Sequence, residues 1–92
     1  MNPEEVFGIH PAQAALLLMK LAPLPFKIVE QMAYGKPSRE IAAILGVPYN
    51  SVRRRSFDAQ KTLGCPAYGF ARIYFAAKFL HLCPAKNGQN HG

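Results

Sequence analysis

Apolar side chains recur at three- and four-residue steps in three segments outside residues 38–64, and proline or glycine stands at each boundary. Residues 1–9 read as loose, with a weak helical turn around Glu4 to Phe7. Pro11 can open a helix at its first position, where the missing N–H is not needed. The pattern predicts helix over residues 11–21, with Ala12, Ala15, Leu16, Leu18 and Met19 on a wide apolar face. Ala22, Pro23, Leu24 and Pro25 interrupt it. Pro25 can start the next helix, in which Phe26, Ile28, Val29, Met32 and Ala33 repeat up to Tyr34, and Gly35 makes a C-terminal stop. A last helix is predicted over residues 67–82. Phe70, Ile73, Tyr74, Ala77 and Leu80 form one stripe on it, and Phe75, Phe79 and Leu82 add apolar surface round the side. Pro84 ends it, and residues 86–92 (KNGQNHG) read as disordered.

Between these segments lies SREIAAILGVPYNSVRRRSFDAQKTLG, residues 38–64. Ser38 can cap a short helix whose Ile41, Ala42, Ile44 and Leu45 should pack inward, leaving Arg39 at its exposed start. Gly46 makes a turn, and Val47 plugs the space between two helices. The second helix, residues 48–63, sets Val52, Ala59 and Leu63 on one side and Arg53, Arg54 and Lys61 off it, with Arg55 nearer the apolar side and Phe57 outward. Two short helices joined by a tight glycine turn, the second one basic, is the sequence form of a DNA-binding helix-turn-helix.

Charge sharpens this picture. The chain of 92 residues carries a formal net charge of +6. Residues 31–64 hold six cations, Lys36, Arg39, Arg53, Arg54, Arg55 and Lys61, against Glu40 and Asp58. The excess therefore sits on the candidate recognition helix, which favours a polyanionic partner, DNA being the commonest. A chain of this length allows one small domain, too small to hold a sensory domain as well.

Other chemistry finds little footing. Cys65 and Cys83 are the two cysteines, with no secretory signal before them, so a reduced cytoplasmic setting is expected and no disulfide is assigned. His81 and Cys83 lack a matching second pair at zinc-site spacing, so no metal or other cofactor is expected. Lys20 and Lys78 interrupt the longest apolar runs, which argues against a membrane span. No nucleotide-binding glycine loop or nucleophile–base arrangement is visible, so no enzyme activity is expected.

The run over residues 21–64 resembles the LuxR-type (GerE/FixJ-like) helix-turn-helix family. Leu21 takes the opening leucine place, Ile28-Val29 the Val-Leu place, and Ala33 and Gly35 match with ungapped spacing. Glu40-Ile41-Ala42, Leu45, Val47, Ser51-Val52-Arg53, Ala59 and Leu63-Gly64 continue the pattern. Leu24, Pro25 and Phe26 replace its acidic and basic residues, Pro48 its serine, and Arg55 its histidine. Residues 44–63 also look like region 4 of bacterial sigma factors.

The resemblance implies an all-α, small tetrahelical helix-turn-helix domain, here with an extra N-terminal helix. It divides the chain into an arm and helix (1–21), the domain proper (22–83) and a tail (84–92). It implies a cytoplasmic transcriptional regulator that binds double-stranded DNA. By the resemblance Arg53, Arg54 and Phe57 would face base edges, and Ser38, Arg39 and Ser51 would hold phosphates; from their places on the helix Asn50 is a further candidate for base contact, Lys61 for phosphate contact, and Arg55 for phosphate contact or pairing with an acid. Family members dimerise through the last helix. This agrees with the surplus apolar surface there, so Phe70, Ile73, Tyr74, Ala77 and Leu80 are the expected homodimer interface. The competing expectation is an interaction protein, an anti-activator or co-regulator, that keeps the fold and binds a protein partner.

Overall fold

Prolines begin three of the helices. Pro3, Pro11 and Pro23 are the first residues of α1 (Pro3–Phe7), α2 (Pro11–Met19) and α3 (Pro23–Ala33), where fixed φ favours the helix and no N–H is required. Asn2 and His10 cap α1 and α2 with side-chain acceptors, to Glu4 N at 3.0 Å and Ala12 N at 3.1 Å. α4 (Ser38–Leu45), α5 (Tyr49–Leu63), a 3-10 turn (Ala67–Gly69) and α6 (Phe70–Phe79) complete the order. A computed structural model of the chain describes residues 2–79. Leu80 of the expected interface, Cys83 and the tail lie outside the described residues. Among those described, every regular element is helical.

Both proline boundaries differ from the sequence expectation in an instructive way. α3 starts at Pro23, so Pro25 falls within its first turn, which still uses no intrahelical N–H. The break between α2 and α3 is accordingly earlier, and Lys20 N and Leu21 N close α2 onto the carbonyls of Leu17 and Leu18 at 3.1 Å. Ser38 is the first residue of α4 and does not cap it; Pro37 holds the cap position in extended conformation. Pro48 does the same for α5.

Two apolar clusters hold the helices together, and α3 contributes to both. The larger unites Ala14, Ala15 and Leu18 of α2, Leu21, Phe26 and Val29, Ala59 and Leu63 of α5, and Phe70, Ile73, Tyr74, Ala76 and Ala77 of α6. The smaller consists of Ile28, Ile41 and Val52, one from each of α3, α4 and α5, with Leu24, Ala42, Leu45 and Val47 partly buried around it. Met32 packs against both. Ala14, Ala76 and Ala77 are fully buried where α2 runs along α6. Such small side chains let helix axes approach closely.

This packing corrects two expectations. On α2 the inward face is Pro11, Ala14, Ala15 and Leu18, while Ala12 is exposed and Leu16 and Met19 are 62% and 58% exposed. A helix apolar nearly all round has no periodicity to orient it, so its partner α6 sets the face. On α6, Phe70, Ile73, Tyr74 and Ala77 are at most 3% exposed within the single chain. These four residues of the stripe expected to meet a second copy are instead covered by the protein's own α2 and α3. Tyr74 fits this interior because its hydroxyl donates to Glu30 Oε2 at 2.6 Å, and its ring meets Tyr34, Phe26 and Phe75 edge-on or tilted. The Lys78 ammonium donates to the Tyr34 hydroxyl and lies over the Tyr34 and Tyr74 rings, 5.2 and 5.7 Å from their centres.

Gly46 fixes the α4–α5 turn. Its φ of +68° is left-handed, and its N–H and that of Val47 both donate to the Ala42 carbonyl. A Cβ there would meet nothing within 4 Å, so a substitution is penalised through backbone conformation alone. Gly46→Ala is expected to lose about 1–2 kcal/mol, read as a thermal midpoint lower by roughly 4–8 °C per kcal/mol.

Candidate nucleic-acid interface

α5 is long enough to serve two purposes. Val52, Ser56, Ala59 and Leu63 recur every three or four residues, and all are buried. Ser56 is the polar member of that face, and its hydroxyl donates to the Arg53 carbonyl at 2.9 Å, so it enters the interior satisfied. The opposite face is open. Asn50, Arg53, Arg54, Arg55, Phe57, Asp58 and Lys61 are all exposed. At about 100° per residue, Asn50, Arg54, Phe57 and Lys61 fall within about 60° of one another and opposite Val52 and Leu63. These four make the outermost stripe; Arg53 flanks it on one side and Asp58, beside Arg54, on the other, and Arg55 lies about 100° beyond Arg54, toward the buried face.

The flank occupied by Arg53 is joined to α4 through Tyr49. The Arg39 guanidinium lies 4.8 Å from the centre of the Tyr49 ring and that of Arg53 lies 6.0 Å from it. A half-buried tyrosine thus gathers two cations from two helices, within the range of attraction to an aromatic ring. Sequence reasoning passed over Tyr49. Its signal was present, since Tyr49 precedes Arg53 by four residues on a helix.

Both helices begin without a side-chain cap, at Pro37 and Pro48. The first-turn N–H groups of Ser38 and Arg39 are thus left without a capping oxygen, beside the Arg39 side chain. Ser38 and Ser51 are half-buried, and the Ser51 N–H donates to the Pro48 carbonyl at 3.0 Å. Lys36, in the connection before α4, pairs at 3.8 Å with Glu40 in the first turn of that helix, an exposed pair of small energetic weight. No ion pair joins the arginines of α5 to a carboxylate among the described residues.

Elsewhere the chemistry is sparse. Cys65 is a free, half-buried thiol, and burial pushes its pKa up against the opposing pull of Arg72, which keeps it in the less reactive protonated form at neutral pH. No group of three or more His, Cys, Asp or Glu side chains placed to hold a metal occurs among the described residues. No helix among them is long and apolar enough to cross a membrane.

The structure therefore brings Asn50, Arg54, Phe57 and Lys61 onto one exposed stripe, sets Arg39 and Arg53 beside it through Tyr49, and leaves Arg55 on the far flank. Comparison with protein-family models, with curated protein sequences and with solved structures gives no match to the chain.

Proposed function

We propose that the protein binds double-stranded DNA as a helix-turn-helix transcriptional regulator, with α5 in the major groove and α4 lying across the backbone. The observation that supports this best is the division of α5: one face is committed to the interior, and the exposed remainder carries three successive arginines, Asn50 and Lys61 against the single acid Asp58, with no ion pair to those arginines among the described residues. Arginine forks match guanine O6 and N7, and asparagine matches adenine N6 and N7. In this reading Arg53, Arg54, Asn50 and Phe57 address base edges. Ser38, Arg39, Ser51, Arg55 and Lys61 hold phosphates, helped by the uncapped start of α4. The likeness of residues 21–64 to LuxR-type sequences points the same way. A two-fold dimer reading inverted half-sites would need a surface other than the covered α6 stripe.

Selection of preferred duplexes from a randomised library, followed by a salt titration, tests the proposal. Three to five phosphate contacts give a fall in log affinity of about 3–5 per tenfold rise in salt. Retention of no duplex at low salt would refute DNA binding. A second reading, a protein-binding regulator, is favoured by Leu16 and Ile44, which are 62% and 49% exposed on α2 and α4. It expects a partner whose binding changes little across the same titration.

A further inference from the structure

We infer that Phe57 reads the C5 methyl group of a thymine in the base pair next to a guanine held by Arg54. This rests on the DNA-binding reading above, and it assigns one residue a specific chemical group.

Phe57 is 56% exposed and belongs to neither apolar cluster. It stands on the outermost stripe of α5, with Arg54 three residues before it, Lys61 four after and Asn50 seven before. More than half of this apolar residue is thus open, in a surround of polar and charged side chains. Its occupant must present negative charge to the flanking cations and one apolar spot to the ring. The DNA major groove meets both conditions, because phosphates line its edges and the thymine methyl is the one apolar group on its floor.

The spacing suits two adjacent base pairs. Arg54 and Phe57 are separated by about 4.5 Å along the helix axis, against a base-pair rise of roughly 3.4 Å. A guanidinium anchored on guanine O6 and N7 leaves the ring one turn further along the same stripe, over the neighbouring pair. Thymine is accepted there through its methyl, and uracil, which keeps every hydrogen-bonding group, is the probe that isolates it.

The test uses the duplex selected by the full chain, resynthesised with deoxyuridine in place of each thymidine in turn. At one position, beside a guanine, the parent protein is expected to bind about fourfold more weakly, the factor for one buried methyl. Phe57→Ala is expected to bind the thymidine and deoxyuridine duplexes equally, with an unchanged melting temperature because the side chain is exposed. Equal binding of both duplexes by the parent would overturn the inference while leaving DNA binding intact. So would a deoxyuridine penalty that persists in Phe57→Ala, since another residue would then contact the methyl. If deoxyuridine has no effect and Phe57→Ala instead abolishes self-association of the DNA-free protein in sedimentation, Phe57 is a subunit contact and the inference falls. Failure to select any duplex refutes the underlying reading itself.

Discussion

Phe70→Ala is expected to cost about 3–5 kcal/mol of folding free energy, a large share of the 5–15 kcal/mol that holds a typical domain. Phe70 begins α6, is fully buried, and shares its cluster with residues of α2, α3 and α5. A ring removed from such a place leaves a cavity whose walls belong to separate helices. Those walls cannot collapse together without shifting helix axes, so the loss lies above the transfer term alone. Tyr68, two residues earlier, is 90% exposed, and Tyr68→Ala serves as a control that stays within roughly 0.5 kcal/mol. Urea denaturation at two protein concentrations measures both variants. It also separates two uses of the α6 stripe: a stripe inside one chain gives a concentration-independent loss, and a stripe between subunits gives one that varies with concentration. A small or concentration-dependent effect would contradict the packing described above.

The second large effect belongs to Arg53 and Arg54. Each alanine substitution is expected to weaken binding to the selected duplex by about 1–3 kcal/mol, which is about five- to 150-fold. Folding should be unaffected, because both side chains are exposed and neither joins an apolar cluster. Arg54→Ala should be the more damaging to specificity, since Arg54 lies on the outermost stripe while Arg53 is partly engaged with Tyr49. Arg55→Ala, on the opposite flank, should weaken all sequences alike and reduce the salt slope by about one. The measurement is affinity for the selected and a scrambled duplex at matched salt. If the variants bind the selected duplex as tightly as the parent, α5 does not read bases.

The sequence made α4 and α5 legible because polar and apolar residues there separate cleanly. Val52, Ala59 and Leu63 are buried, as their spacing predicts, and Gly46 and Gly64 end the two helices in left-handed conformation. The inward turn of α4 was less complete: Ile41 is buried and Ala42 and Leu45 partly so, but Ile44 is half exposed. A helix of eight residues beside a three-residue cluster has little interior to face. The orientation of α2 was not legible, since its run of alanine and leucine leaves the choice of face to tertiary contact. The partner of α6 was hidden for a related reason. Periodicity identifies an apolar stripe and says nothing of whether the chain's own α2 or a second copy covers it. At the start of α4, Ser38 had the right side chain for a cap, yet Pro37 already had the extended conformation that the cap position takes.

For the candidate interface, the identity and exposure of the cationic residues could be read from the sequence, and their grouping could not. Arg39 and Arg53 are fourteen residues apart in the chain, and both guanidinium groups approach the ring of Tyr49, the first residue of α5. The small cluster of Ile28, Ile41 and Val52 is what holds those helices in register.

Met32 gives that arrangement a mechanical character. It is the side chain shared by the two clusters, and an unbranched thioether with three rotatable bonds is the most adaptable of apolar side chains. α5 also spans both clusters, with Val52 in the smaller and Ala59 and Leu63 in the larger, so one continuous helix joins the two ends of the molecule and Met32 fills the space between the clusters. A disturbance of the scaffold around Ala59 or Leu63 would accordingly be felt along α5, the helix that carries the three arginines.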